Sequence, residues 1–186
     1  MGKLIYSMIE SLDSYIADES GGFGWAEPDE AVHSFINDLQ RPVGTYLLGR
    51  RMYEVMAAWD TMGTSDDAPA FIRDFADLWR GADKVIYSSM LTDVHSPRAR
   101  VERDFDPDAI RLMKAESARD ISIGGPTLAA AAIEAGLVDE YQLFVVPFVA
   151  GGGLATFACG TRLDLDLVEE RRFPSGFVYL DYCSSS

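Results

Sequence analysis

The chain has 186 residues, 48% of them hydrophobic and 25% charged, which predicts one folded domain spanning residues 1–186. The 30 acidic residues outnumber the 16 basic ones, and the resulting net charge of −14 argues against nucleic acid and anionic membranes as partners. Cys159 and Cys183 lie far apart, without metal-ligand spacing, so we expect no metal site and a reducing, cytoplasmic location. The sequence also predicts no signal peptide and no membrane span.

Strands and helices are predicted to alternate along most of the chain, from the period of the apolar residues and the positions of glycine and proline. In chain order we predict a strand at 3–11, a loop at 11–28, a helix from about 28, a strand at 44–49, a helix at 51–59, a loop at 61–69, a helix at 71–79, strands at 84–89 and 99–105, a helix at 106–116, a strand at 120–125, a helix at 126–136, and strands at 138–149, 163–172 and 176–183. This order indicates an α/β fold with parallel crossover units first and antiparallel strands at the C-terminal end.

Three of the predicted strands end in residues suited to phosphate, and such strand ends meet at one edge of a parallel sheet. The first end offers a glycine, two arginines and a helix start, the second two hydroxyls, and the third paired glycines before a helix. Taken singly, each strand end is best explained as an ordinary turn, a helix cap or a pair of surface residues. Together, the three strand ends predict a phosphate-rich ligand. The residues are Gly49, Arg50, Arg51 and Met52; Ser88 and Ser89; and Gly124, Gly125, Pro126 and Thr127.

Six segments, in order along nearly the whole chain, carry a family resemblance: SLDSYIAD (11–18), LLGRRMYE (47–54), KVIYSSML (84–91), ISIGGPTL (121–128), GLVDEYQLFVVPFVAGGG (136–153) and RRFPSGFVYLDY (171–182). They resemble the dihydrofolate reductase superfamily, and within it the reductase domain of bacterial riboflavin biosynthesis enzymes. The resemblance implies a mixed, mostly parallel central sheet flanked by helices, with antiparallel C-terminal strands, and an NADPH site.

The same resemblance assigns roles along the cofactor. Arg50 is the first choice and Arg51 the second for holding the 2′-phosphate, assisted by the serine pair, and the glycine pair cradles the pyrophosphate. Apolar side chains after the first strand meet the nicotinamide, where they exclude water and orient the hydride face. The cofactor-binding residues so implied are Ile9, Ile16, Ala17, Gly49, Arg50, Arg51, Met52, Ser88, Ser89, Gly124, Gly125, Pro126, Thr127 and Leu128.

Candidate catalytic and substrate-binding residues lie in and after the 11–28 loop. Asp13, Asp29 and Glu30 are positioned to relay a proton. A loop cap for Asp13 and a helix N-terminal charge for Glu30 remain open alternatives. Trp25 is placed to stack on a planar heterocycle or to pack a lid, and Phe35 is a second predicted substrate contact. His33, in the helix that follows, is expected on the surface.

The leading hypothesis is an NADPH-dependent reductase that transfers hydride to a small planar heterocycle, either a pteridine or an aminopyrimidine riboside. This chain departs from the resemblance at Ala31, which stands where dihydrofolate reductases carry a substrate-binding carboxylate, and at Met52, where threonine is usual. A nucleotide-binding protein without turnover, or a structural homodimer with a vestigial pocket, is therefore kept as an alternative. A homodimer is expected in any case, because the apolar C-terminal strands leave an edge to be covered.

Overall fold

A computed structural model describes residues 1–65 and 67–185; Asp66, in the predicted 61–69 loop, and Ser186 lie outside the described residues. The strands are β1 Leu4–Ser11, β2 Tyr15–Ala17, β3 Val43–Gly49, β4 Asp83–Tyr87, β5 Ala99–Glu102, β6 Asp120–Gly124, β7 Glu140–Val146, β8 Leu154–Ala155, β9 Leu165–Arg172 and β10 Val178–Ser184. The helices are α1 Glu30–Gln40, α2 Arg50–Met56, α3 Ala70–Gly81, α4 Pro107–Glu116 and α5 Pro126–Glu134. Short 3-10 helices span Gly24–Ala26 and Ala57–Asp60.

Eight strands form one sheet in the order β5-β4-β3-β6-β1-β7-β10-β9. Every neighbouring pair from β5 to β7 is parallel, whereas β10 runs antiparallel to both β7 and β9. The direction changes where the helices stop, because a parallel pair needs a crossover and the last strands have none. The predicted mixed, mostly parallel sheet with antiparallel C-terminal strands is confirmed.

Apolar side chains fill both faces of this sheet. One face, with Tyr6 and Ile123, packs on α4 and α5, and the other packs on α1, α2 and α3 through residues such as Phe144 and Trp79. Adjacent strand residues point to opposite faces, which is why the strands read as nearly continuous apolar runs. Among the described residues, no helix is long and apolar enough to cross a membrane.

Several boundaries differ from the prediction. The helix predicted at 51–59 is α2 followed by a 3-10 helix, and the strand predicted at 99–105 ends at Glu102. Two short strands were missed: β2 and β8 pair with each other in a separate two-stranded sheet. Two or three residues carry too little pattern to be recognised, and each strand exists only because its distant partner is beside it.

The predicted surface position of His33 is wrong. Its side chain is 7% exposed and lies among Trp59, Phe71 and Phe75, with ring centroids 5.1 to 5.6 Å away. Its Nδ1 lies 3.1 Å from Asn37 Oδ1. The His33 side chain leaves α1 on the side that packs against α3. The sequence pattern of α1 alone does not reveal this contact.

Candidate functional site

The fold brings the three predicted phosphate-binding strand ends to one edge of the sheet. Strand β3 lies between β4 and β6, with Gly49 in register with Tyr87 and Leu48 with Gly124. Ser88 directly follows β4, and Pro126 begins α5 after β6. The three segments are therefore neighbours in space, as expected for the carboxyl ends of adjacent parallel strands.

The paired glycines lie against the start of α2. A Cβ added to Gly124 would lie 3.0 Å from Leu48 Cδ2 and 3.1 Å from Met52 Cγ, so a side chain would fill this space. Gly125 has a φ of +94°, in the left-handed region that favours glycine. Gly49 faces Leu128, whose Cβ would be 3.9 Å from a Cβ at position 49. Gly124 thus makes room for Leu48 and Met52, and Gly125 is buried. Thr127 is exposed at the N-terminus of α5, where free N–H groups favour an anion.

The two arginines stand at the start of α2. Arg50 is partly exposed, and its Nη1 donates to Glu54 Oε1 at 2.7 Å. Arg51 is exposed. Because α2 has seven residues only, the positive charge at this corner comes from the two guanidinium groups more than from the helix end.

The turn after β4 is held by groups that the sequence analysis did not connect. The oxygen of the buried Ser88 hydroxyl accepts from Met90 N at 3.2 Å and Leu91 N at 3.1 Å, while Ser89 is exposed. Arg103, just past β5, donates through Nη1 to Ser88 O at 2.9 Å and Leu91 O at 2.5 Å. Arg103 thus adds a third cation to this corner. It directly follows β5, the strand next to β4, and this position in the sequence could have identified it.

The predicted nicotinamide residues lie where the two sheets meet. Ile9 packs with the aromatic cluster under α1, whereas Ile16 packs with the cluster under α5. Ala17 is buried and pairs with Leu154. A Cβ on Gly153 would lie 2.1 Å from Ala17 O, so glycine is required for this close approach. A cavity of about 330 Å³ lies beside β8 and is lined by Pro126, Thr127, Ala130, Leu154, Ala155, Phe157, Ala158 and Cys159.

Asp13 fastens the loop after β1 to the loop after β7. Its carboxylate accepts from Ser11 Oγ at 2.7 Å, Ala150 N at 2.9 Å and Gly151 N at 2.8 Å. The Ser11 hydroxyl, together with these backbone N–H groups, lowers the pKa of Asp13 to about 2. A carboxylate bound in this way is a strong hydrogen-bond acceptor and a poor proton donor.

The other two predicted acids stand at the start of α1. Asp29 is its N-cap and accepts from Val32 N at 2.9 Å; this bond is the largest of the influences that lower the pKa of Asp29. Glu30 is exposed in the first turn. The start of α1 is thus built as the N-terminal sequence pattern predicts.

The two predicted substrate contacts differ in their surroundings. Trp25 stacks on Phe148 with ring centroids 5.2 Å apart, and its indole N–H is buried without a hydrogen-bond partner among the described residues. Phe35 packs on Tyr179 and Phe173 at 4.9 and 5.6 Å, with Arg171 Cζ 4.6 Å from its ring centre. Trp25 has an unused donor, whereas Phe35 belongs to the aromatic core.

Sequence analysis also missed a buried carboxyl group on β1. Glu10 is 4% exposed, and its Oε2 has no partner among the described residues. Burial raises the pKa of Glu10, and a hydrogen bond with Thr156 partly opposes that rise. Tyr6 OH, on the same face of β1, donates to Thr156 O at 2.6 Å. The position of Glu10 within the mostly apolar strand β1 is the feature of the sequence that could have indicated a buried carboxyl group.

A mixed, mostly parallel eight-stranded sheet with flanking helices and antiparallel C-terminal strands is a fold of the dihydrofolate reductase type. The model of the RibD C-terminal domain family matches residues 2–179, and the chain belongs to that family.

Three solved structures share the fold at low sequence identity. A provisional riboflavin biosynthesis protein from Shewanella sp. PV-4 is 18% identical with a TM-score of 0.76, and 100% of both chains is covered. The Thermotoga maritima diaminohydroxyphosphoribosylaminopyrimidine deaminase/5-amino-6-(5-phosphoribosylamino)uracil reductase is 13% identical with a TM-score of 0.68, covering 99% of this chain and 57% of that one. Dihydrofolate reductase from Enterococcus faecalis, in complex with NADP(H), is 15% identical with a TM-score of 0.67, covering 100% and 98%. The predicted dihydrofolate reductase-like fold is confirmed.

Proposed function

We propose that this protein is an NADPH-dependent reductase of a small planar heterocycle, of the aminopyrimidine riboside or pteridine type. The observation that carries the proposal is the convergence of the three phosphate-suited strand ends at one sheet edge in a member of the RibD C-terminal domain family. Ligands of open α/β sheets bind at such an edge. The Enterococcus faecalis neighbour in complex with NADP(H) supports the choice of cofactor.

The described residues suit the parts of NADPH in turn. Arg50, Arg51 and Ser89 offer cationic and hydroxyl donors to the 2′-phosphate, and Arg103 fixes the turn beside them. The exposed Thr127 at the start of α5 offers its hydroxyl and a backbone N–H to the pyrophosphate. Ile16 and the buried Ala17 offer an apolar surface that excludes water from the nicotinamide, whereas Ile9 packs in the cluster under α1. NADPH, when bound, supplies the hydride.

An aminopyrimidine is the better-supported of the two substrate types. The family and the Thermotoga maritima neighbour, named a 5-amino-6-(5-phosphoribosylamino)uracil reductase, favour it. Ala31 leaves α1 without the carboxylate that a pterin would need at that position. The unpartnered indole N–H of Trp25 is a donor suited to a ring carbonyl of a uracil.

The hydrogen bonds of the three predicted acids divide their roles. Asp13 and Asp29 accept backbone N–H groups, which favours loop fixation for Asp13 and helix capping for Asp29. Glu30 is exposed and is the candidate for relaying a proton through water. The second candidate is a nucleotide-binding domain without turnover. The structural roles of Asp13 and Asp29 are the observation that favours this second candidate.

The test is titration of the purified protein with NADPH and NADH, followed by quenching of tryptophan fluorescence. NADPH oxidation is then followed at saturating cofactor with an aminopyrimidine riboside phosphate and, separately, dihydrofolate. We expect tighter binding of NADPH than of NADH, and turnover with the aminopyrimidine. Binding without turnover on either substrate would favour the second candidate, and absence of NADPH binding would refute both.

We also propose that the protein is a cytoplasmic homodimer of one domain. The edge strand β9 supports the dimer: Leu167 and Val168 are 51% and 60% exposed on a strand paired on one side only. Most other residues of β9 are charged, so the proposed contact centres on this exposed apolar pair. A second copy of the chain is a partner that would cover it symmetrically.

A further inference from the structure

A buried tyrosine connects α2 to the segment that follows β4. Tyr53 stands three residues after Arg50, so the two side chains leave neighbouring positions on one side of α2. Tyr53 is 8% exposed. Its hydroxyl oxygen accepts from His95 N and Ser96 N, each at 3.3 Å, and lies 3.2 Å from Ser96 Oγ. These contacts reach the far end of the segment that begins with Ser88.

The far end of this segment is fixed from further directions. Ser96 Oγ donates to Asp60 Oδ2 at 2.5 Å, and Asp60 Oδ1 accepts from Trp79 Nε1 at 2.7 Å. The fully buried Lys84 donates to Pro97 O at 3.1 Å and lies 4.7 Å from the centre of the Trp79 ring. Residues 95–97 are therefore bound to α3 and β4, and Tyr53 is the hydroxyl that joins α2 to this network.

Within the part of the chain that the structure describes, the other contacts of α2 with neighbouring elements at this corner are apolar. Met52 packs against Gly124, and Met52 and Met56 share a cluster with Leu91 and Val94 from the segment after β4. Apolar contacts hold two elements together but permit sliding, whereas hydrogen bonds fix their relative position. A seven-residue helix has little stability of its own and depends on such contacts for its position.

We propose that Tyr53 is a positioning residue for the 2′-phosphate. It ties α2, which carries Arg50, to residues 95 and 96 at the far end of the segment that begins with Ser88, and so limits the movement of Arg50 relative to that segment. This role rests on the proposed function, because it assigns the 2′-phosphate of NADPH to that corner. Tyr53 itself does not touch the phosphate; it acts through the placement of Arg50.

The test is Tyr53→Phe, which removes the hydroxyl and keeps the ring in the apolar cluster. The dissociation constants of NADPH and NADH are measured for both proteins. Loss of one buried hydrogen-bonded hydroxyl predicts that the NADPH constant rises about threefold to tenfold. The NADH constant stays within about twofold, because NADH has no 2′-phosphate. The ratio of the two constants is the readout that a loss of general stability would not change.

Two further variants complete the design. Ser96→Ala removes the Oγ contact with the Tyr53 hydroxyl but keeps the two backbone N–H donors, so it should change the ratio in the same direction by a smaller factor. It serves in place of Tyr53→Phe if that variant does not fold. Tyr46→Phe is the matched control, because Tyr46 is a buried tyrosine whose hydroxyl has no partner among the described residues. An unchanged NADPH to NADH ratio in Tyr53→Phe, with the wild-type preference intact, overturns the positioning role alone. A wild-type protein without preference for NADPH overturns both this role and the proposed cofactor.

Discussion

Arg50 and Glu54 form an ion pair across one turn of α2, with Arg50 Nη1 2.7 Å from Glu54 Oε1. Their side chains are 37% and 50% exposed, so the pair contributes little to stability. Glu54 nevertheless occupies the donor that Arg50 would offer to a phosphate, and it places a negative charge beside the proposed 2′-phosphate site.

Removing this competition should strengthen NADPH binding. We expect Glu54→Gln to lower the NADPH dissociation constant about threefold, in keeping with a partly exposed charge contact, and to leave the NADH dissociation constant unchanged.

Arg50→Ala should raise the NADPH dissociation constant about tenfold or more, because it removes a charge-assisted partner. Fluorescence titration measures both. Glu116→Gln, at the exposed end of α4, is the control, and equal losses for NADPH and NADH in Arg50→Ala would exclude the 2′-phosphate role.

Gly125→Ala tests the pyrophosphate cradle. The φ of +94° makes alanine strained there, at a cost of about 1–2 kcal/mol in unfolding free energy, although the nearest contact for the new Cβ, Met52 Cβ at 3.5 Å, is ordinary. We expect NADPH and NADH to weaken by the same factor, because both carry the pyrophosphate. Gly81→Ala, where an added Cβ meets nothing within 4 Å, is the control for titration and urea unfolding. Selective loss of NADPH alone would contradict the assignment.

Stability should fall below neutral pH because of His33. Burial lowers the pKa of His33 below its ordinary value of 6.5, so the unfolded chain takes up this proton at a higher pH than the folded protein. The contribution of neutral His33 is present above pH 6.5 and is lost as the pH falls through the lower pKa of the folded state. Urea unfolding at pH 7 and pH 5 should therefore show a smaller decrease for His33→Phe than for the wild type. Equal decreases would show that His33 does not contribute.

Asp181 has the opposite pH dependence. Burial, with Glu140 and Glu169 nearby, raises its pKa to about 6 from 3.8, so its ionisation in the folded protein destabilises as the pH rises. We expect Asp181→Asn to raise the unfolding free energy by about 2 kcal/mol at pH 8 and about half as much at pH 5. Asp104→Asn, at an exposed position after β5, is the control. A variant less stable than the wild type at pH 8 would mean that the carboxylate has a stabilising partner.

The proposed dimer predicts a concentration-dependent mass. We expect the wild type to sediment as a dimer and Leu167→Lys to sediment as a monomer, because the lysine places a charge in the exposed apolar pair of Leu167 and Val168. Leu112→Lys is the matched control, since Leu112 is 58% exposed on α4, away from that edge. A monomeric wild type at all concentrations, or a dimeric Leu167→Lys, would rule out β9 as the interface.

Local pattern was sufficient for much of the fold. The long strands and helices were predicted because each repeats its apolar residues over several turns or pleats, and the order of these elements sets a mostly parallel sheet. The strand-end segments at Gly49, Ser88 and Gly124 were also predicted from local pattern, since each follows directly on the end of an apolar run. The strands β2 and β8 were missed because each depends on a partner far away in sequence.

The sequence by itself determined the longer elements, their order and the strand-end residues, because neighbouring residues along the chain encode them. The tertiary structure alone decided which distant residues contact one another around these strand ends. It bound Asp13 to the loop after β7, placed Arg103 on the turn of Ser88 and joined Tyr53 to Ser96. These partners are brought together by strand register and helix packing, which act over separations that no local pattern records.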